Sequence, residues 1–298
     1  ESSYFIEDLN IADFKNHQGG RRSLPEKEVE FLHQGLVLGI RDFLGKTGFQ
    51  KAHLGLSGGI DSAVVACLAA DAIGPNNLTV VALPTQFNSP ESYSSAEQLA
   101  KNLGCDFKEI EIQTSFDEVV RAYEMGMGAR DFSLMHENIQ ARLRGLMLMA
   151  ISNDKGSFLL STGNKSEYAA GYTTLYGDMC GGLAPLGDLL KKQVYDLANY
   201  YNSQTEIIPQ FIIEREPSAE LRPNQKDVDS LPPYDDLDKA VDRLVCNRNK
   251  PRGEVEKWLL NRLMHSEFKR WQAPPILKVS THAFGQGRRM PIAHRGVY

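Results

Sequence analysis

One short stretch of this chain has the residue types and spacing from which phosphate chemistry is built. It is SGGIDS, residues 57–62, set between the apolar AHLGL (52–56) and the alanine-rich SAVVACLAADAIG (62–74). Glycines let a strand-to-helix turn bend through positive φ and approach an anion closely, and the amides that open the next helix then point at it. Ser57 and Ser62 add hydroxyl donors. A Walker A loop would carry a lysine here, whereas this loop carries Asp61. That carboxylate repels a bare pyrophosphate unless a divalent cation lies between them, and Mg2+ typically takes one or two carboxylates together with phosphate oxygens. The plainer reading is a β-to-α turn whose Asp61 or Ser62 caps the helix. The full SGGIDS between a strand and a helix favours a nucleotide–Mg2+ site over it.

The surrounding pattern supplies the elements that must hold such a loop. AHLGL reads as a buried strand and 62–74 as a helix ended by Gly74. LTVVALP (78–84) and DFKEIEI (106–112) read as strands, with a helix over SAEQLAKNLG (95–104) between them. A longer helix over 137–154 precedes the strand SFLLST (157–162). Strands and helices alternating in short steps imply βαβ units and a parallel sheet of at least four strands, with ligands at the strands' carboxyl ends. Ahead of them, Val29, Leu32, Leu36, Ile40 and Phe43 recur at helical spacing after Pro25, and Gly45 and Gly48 close that helix. A helix over 191–202 and two more from Asp235 to Arg270 follow the sheet. The Gly-rich 171–188 and the proline-rich 212–236 are too long for plain connectors, which marks them as functional loops or lids.

Composition narrows the class. The chain has 298 residues, 42% hydrophobic and 24% charged, enough for one large α/β domain or two small ones. A net charge of −5 gives no global basic field, so a dedicated nucleic-acid partner is not expected. Cys67, Cys105, Cys180 and Cys246 stand far apart without a C-x-x-C pair, which suits a reducing, cytoplasmic setting. No apolar run approaches the roughly 18 residues of a membrane span. Residues 1–24 read as a polar N-terminal extension or linker, and 25–298 as the catalytic domain.

SGGIDS resembles the SGGxDS pyrophosphate loop of the ATP pyrophosphatases. Among these, the chain is similar to NAD synthetase. The resemblance rests on ENIQARLRGLMLM (137–149), STGNKSEYAAGYTTLYGDMCGG (161–182), KKQVYDLA (191–198), the 216–235 segment and KRWQAPPILKVS (269–280) in one order. It implies a Rossmann-like, doubly wound parallel sheet of the adenine nucleotide alpha hydrolase type, with extra C-terminal helices. It also implies the activity: ATP adenylates the nicotinate carboxylate of deamido-NAD, and ammonia displaces AMP to give NAD. Mg2+ accompanies ATP, and the family forms homodimers.

By matching positions, the resemblance places Gly55, Leu56, Ser57, Gly58, Gly59, Ile60, Asp61 and Ser62 on the ATP phosphates, with Thr162, Lys191 and Ser218. Asp61 and Glu167 are the implied metal ligands. Asn138, Arg142, Glu167 and Lys269 are implied on deamido-NAD, and Asp61, Glu167, Lys191 and Lys269 in catalysis. Plainer readings stand beside these: Asn138 as a helix N-cap, Arg142 and Arg144 as solvated helix-face charges, Glu167 in a capping box, and Lys191 paired with Asp188. Leu175, Gly182 and Phe268 depart from the short ammonia-dependent enzymes, which often have lysine, aspartate and histidine there, and fit the glutamine-dependent branch. That branch carries a separate glutaminase domain, for which about 50 residues ahead of the loop leave no room. The chain is therefore expected to use free ammonia or to be the synthetase part of a longer enzyme, and its non-Met start favours the second. The competing enzyme readings are a GMP synthetase or a tRNA-modifying pyrophosphatase. A non-catalytic nucleotide-binding module is the alternative of another class.

Overall fold

The computed structural model describes residues 4–9, 13, 15, 27–285, 291 and 292. Most of the 1–24 extension, the Pro25 helix start and most of the tail beyond 285 lie outside the described residues. Four parallel strands form one sheet: β1 Ala52–Gly55, β2 Leu78–Ala82, β3 Asp106–Glu109 and β4 Phe158–Leu159. Their order is β3-β2-β1-β4. The order reverses beside β1, where β4 joins on the side opposite β2, and open α/β sheets bind ligands at such a switch point.

Each face of the sheet is covered. Successive strand residues point to opposite faces, and Val80 and Val81 duly join different apolar clusters. Val80 packs with Leu54 and Leu78 against α1 (Glu28–Thr47), α2 (Ile60–Ile73) and, further out, α7 (Lys191–Tyr201). Val81 packs with Phe116 of α4 (Gln113–Met127) and Leu143 of α5 (Leu134–Lys155). The helix after the glycine loop, α2, is buried along its length, from Ile60 to Ala72. Its alanines let it lie between β1, α1 and α7. The expected C-terminal helices build a separate apolar cluster. There α9 (Tyr234–Val241) and α10 (Glu254–His265) close around Tyr168, Ala169 and Ala170 of the short α6 (Lys165–Ala170).

The strands end earlier than their apolar runs, and β4 has two residues where six were expected. The third helix, α3 (Pro90–Leu103), starts before Ser95 because Ser89 caps it and Pro90 takes its first position. Asn138 is not a helix cap: α5 starts at Leu134, with the Ser133 N–H donating to His136 Nδ1 at 3.0 Å. The 171–188 segment is ordered by bridges from Leu183 to Leu160 and from Ala184 to Ile276. Gly145 lets α5 approach that segment, since a Cβ there would lie 2.8 Å from the Tyr176 carbonyl. The 212–236 segment holds α8 (Gln210–Glu214) and a 3-10 turn, Asp227–Asp229.

Candidate active site

The strand-to-helix turn is fastened before any ligand arrives. Leu56 N–H donates to the Val81 carbonyl at 2.8 Å, extending the ladder one step past β1. Gly58 then takes φ 77°, and a Cβ there would lie 2.3 Å from the Ser92 carbonyl, so only glycine fits. The Ser62 hydroxyl donates to Gly59 O at 3.0 Å and lies 3.2 Å from Ser57 Oγ. The turn thus delivers the first amides of α2 and the Asp61 carboxylate to the same side of the sheet edge.

Two further segments meet Asp61 there. Asn164 Nδ2 donates to Asp61 Oδ1 at 2.9 Å. Its Oδ1 accepts the Glu167 N–H at 3.0 Å, and Glu167 Oε2 accepts the Asn164 N–H at 3.2 Å. This capping box starts α6 and fixes the Glu167 carboxylate. From α7, Lys191 Nζ reaches Asp61 Oδ2 at 2.5 Å and Glu167 Oε1 at 4.0 Å. Lys191 is therefore paired across 130 residues of sequence and not with Asp188, which holds Lys165 at 2.7 Å.

These groups perturb one another. Burial and the neighbouring Asp61 carboxylate push Glu167 well above the usual carboxylate range, against the pull of Lys191. Burial would lower Lys191, but the carboxylates of Asp61 and Glu167 outweigh it and hold the ammonium well above its ordinary value. Asp227, on the 212–236 segment, is raised chiefly by burial. Its Oδ2 accepts the Tyr234 hydroxyl at 2.8 Å, while its buried Oδ1 has no hydrogen-bond partner among the described residues. Asp178 is pushed up to about 6 by its low-dielectric surroundings, partly offset by the Thr174 N–H and Lys269, although solvent reaches its outer edge.

A cleft of about 270 Å3 runs from the glycine turn to the 212–236 segment. Gly55, Leu56, Ser57, Gly59, Ile60, Asp61, Ser62, Thr162, Glu167, Lys191 and Ser218 line it. Gly58 packs behind the turn against Ser92. Ser218 uses its hydroxyl on its own turn, donating to Gln225 O at 2.6 Å. Asn138, Arg142 and Lys269 are not in the lining and instead hold the loop at 171–175. Asn138 Oδ1 accepts from Thr174 Oγ1 at 2.8 Å, and Arg142 Nε donates to Leu175 O at 3.2 Å. Lys269 Nζ donates to the carbonyls of Gly171 and Thr173 at 2.8 and 2.6 Å.

Several lining residues had no role in the sequence reading. Arg144, not Arg142, faces the cleft, donating to Leu83 O at 3.0 Å and Asn88 Oδ1 at 3.2 Å. Its burial lowers the guanidinium to about 10, partly countered by Glu220. Arg215 and Glu220 pair at 2.9 Å over Ser92 and tie the 212–236 segment to α3. The period of α5 would have separated the two arginines, since Arg144 shares the face of Gln140 and Leu148.

A pair of carboxylates sharing one lysine beside a glycine turn, at the switch point of a parallel sheet, defines an α/β domain of the pyrophosphate-loop fold. Residues 32–273 match the family model described as NAD synthase. The chain belongs to that family. It is 46% identical, over 98% of its length, to the glutamine-dependent NAD(+) synthetase of Synechocystis sp., covering 55% of that protein. The glutamine-dependent NAD+ synthetase of Acinetobacter baumannii, solved with adenosine diphosphate, superposes with a TM-score of 0.66 at 34% identity, over 95% of this chain and 53% of that one. The NH3-dependent NAD synthetase of Campylobacter jejuni, solved with a nitrate ion, does so at 0.67 and 28% identity, over 85% of this chain and all of the other. The chain spans about half the length of the curated relatives it matches.

Proposed function

We propose that this chain adenylates the nicotinate carboxylate of deamido-NAD with ATP and passes the activated carboxyl to ammonia, releasing AMP, pyrophosphate and NAD. The observation that carries the reading is the meeting of Asp61, Glu167 and Lys191 from three separate elements beside the glycine turn. A carboxylate is a poor acyl donor until its oxygen joins a phosphate leaving group, and in-line transfer at the α-phosphorus depends mainly on positioning and charge neutralisation. The amides opening α2 bind the pyrophosphate, and Lys191 neutralises charge on it as it leaves. Asp61 and Glu167 fit a Mg2+ ion, because both already turn an oxygen toward one positive charge; such an ion neutralises phosphate oxygens and strengthens the α-phosphorus as an electrophile. The ADP found in the Acinetobacter relative supports an adenine nucleotide in this cleft.

The reading also includes a homodimer. On α4 and α5, Tyr123, Met125, Met127, Leu134 and Leu146 are exposed together with Phe132 between the helices. Exposed apolar side chains of this kind offer contacts for a second copy. The cytoplasmic assignment draws support from the four unpaired cysteines. Among the described residues no helix is long and apolar enough to cross a membrane. In a longer chain, a glutaminase domain would supply the ammonia. The reading is tested by incubating the protein with ATP and deamido-NAD, with ammonium or glutamine as nitrogen source. Stoichiometric NAD and AMP with ammonium are expected; no NAD with ammonium overturns the assignment.

A further inference from the structure

The ammonium of Lys191 stands where a second cation would have to go. Asp61 and Glu167 offer four oxygens. Asn164 engages one on each residue, Asp61 Oδ1 through its side chain and Glu167 Oε2 through its backbone. The remaining two, Asp61 Oδ2 and Glu167 Oε1, face Lys191 Nζ at 2.5 and 4.0 Å. Those are the oxygens that a divalent ion would use. The lysine side chain is 4% exposed, and the face of the Tyr234 ring lies 5.1 Å from its nitrogen. Its aliphatic stem is packed and its backbone N–H is held by Ser166 Oγ at 3.3 Å. Only the tip is free to move.

A divalent ion arriving alone must displace this buried ammonium from its partly buried carboxylate partner. The displaced charge would then lose its one close partner, with Asp227 as the next anion and Asp227 Oδ2 already taken by the Tyr234 hydroxyl at 2.8 Å. Leaving a buried charge poorly paired is strongly unfavourable. A nucleotide changes that balance, because its phosphate oxygens offer the ammonium a replacement partner in the same cleft. We infer that Lys191 is the resident cation of this site, so that it excludes free divalent metal and admits the metal only together with the triphosphate, exchanging Asp61 for phosphate as it does so. This rests on the metal–nucleotide reading of Asp61 and Glu167 given above. It adds that metal and nucleotide bind with strong mutual dependence, and that the dependence resides in one side chain of α7.

The probe is Mn2+, followed by the electron paramagnetic resonance of the free ion, with and without the non-cleavable α,β-methylene ATP analogue. Wild-type protein is expected to hold Mn2+ at least about a hundredfold more tightly with the analogue than without it. Lys191→Met is expected to bind Mn2+ alone at least about tenfold more tightly than wild type. Added Mn2+ should raise its unfolding midpoint while leaving that of nucleotide-free wild type unchanged. Lys191→Gln, which keeps a donor and much of the length, serves if the methionine variant does not fold, and the wild-type titrations need no variant. Equal Mn2+ affinity of wild type with and without the analogue, or of wild type and the Lys191 variants without it, overturns the exchange. The metal reading is tested separately by Asp61→Asn, which should lose Mn2+ binding in the ternary complex. If Asp61→Asn retains it, the metal assignment falls, and the exchange falls with it.

Discussion

Two buried lysines, Lys165 and Lys191, each pair with an aspartate, and the two pairs differ in how fully they are satisfied. Lys165 and Asp188 are 1% and 0% exposed. Lys165 Nζ also donates to Ser280 Oγ at 2.8 Å and His282 O at 2.9 Å, and lies 3.2 Å from Cys246 Sγ. Asp188 accepts the N–H groups of Val279 and Ser280 at 2.8 and 2.7 Å. No valence is left over, so the pair fastens residues 279–282 to the first residue of α6 and to the loop that leads into α7. Lys191 and Asp61 are 4% and 17% exposed. Around them Glu167 lies at the limit of ion-pair distance, and the cleft opens to one side. Burial alone does not separate structural from functional charge here; incomplete satisfaction does.

The contrast is breakable in order of expected effect. Lys165→Met removes one partner of a saturated buried pair and should cost about 3–5 kcal/mol of stability. Chemical denaturation reads this, and a loss below about 1 kcal/mol would dissolve the distinction. Asp61→Asn should instead cost less stability than Lys165→Met, because Glu167 stays beside Lys191 and the pair is partly exposed, while lowering turnover by about a hundred- to a thousandfold. Wild-type NAD formation in that variant would remove Asp61 from the chemistry. Asn164→Ala tests the hinge between the two pairs, since the residue caps α6 and orients Asp61 at once. About 1 kcal/mol of stability should go with the cap, together with a fall in turnover that Asn164→Ser recovers in part.

The smallest effect is a pH slope. His53 is fully buried on β1, 2.9 Å from both Ser157 Oγ and Leu148 O. The carbonyl requires Nε2 to be the donor, and in the neutral ring Nδ1 then accepts from Ser157. Burial lowers its pKa below 6.5, outweighing the carbonyl's opposite pull. The unfolded chain then takes up the proton first as pH falls. The stability from neutral His53 is present above about pH 6.5 and drains away below it, at no more than about 1.4 kcal/mol per pH unit. His53→Gln should flatten that part of the stability profile. An unchanged slope would assign the acid sensitivity elsewhere.

Much of this arrangement was legible before any coordinates. The glycine turn declares itself, because Gly58 and the adjoining strand and helix are local features. The parallel order followed from alternation. Helix α4 escaped because QTSFDEVVRAYEMGM mixes exposed apolar residues with charge, and its buried side rests on Phe116. The partner of Lys191 could not be read locally. Asp188 was the near candidate, whereas the sheet topology brings Asp61 from the other end of the domain. The same holds for Asp227 and Glu220, whose places depend on how the 212–236 segment crosses the cleft. Arg142 and Arg144 are two residues apart on one helix, so contact with the cleft turns on helical phase alone.

The buried helix α2 has a consequence for heat. Helices of this kind belong to the last cooperative unit of a protein to open, and their amides exchange with solvent only through global unfolding. Here that helix carries Asp61 in its first turn, directly after the glycine turn. Many enzymes lose activity well before they melt, because their catalytic loops loosen first. In this protein the pyrophosphate turn has no separate melting point: its loss on warming should follow the same curve as the loss of the fold.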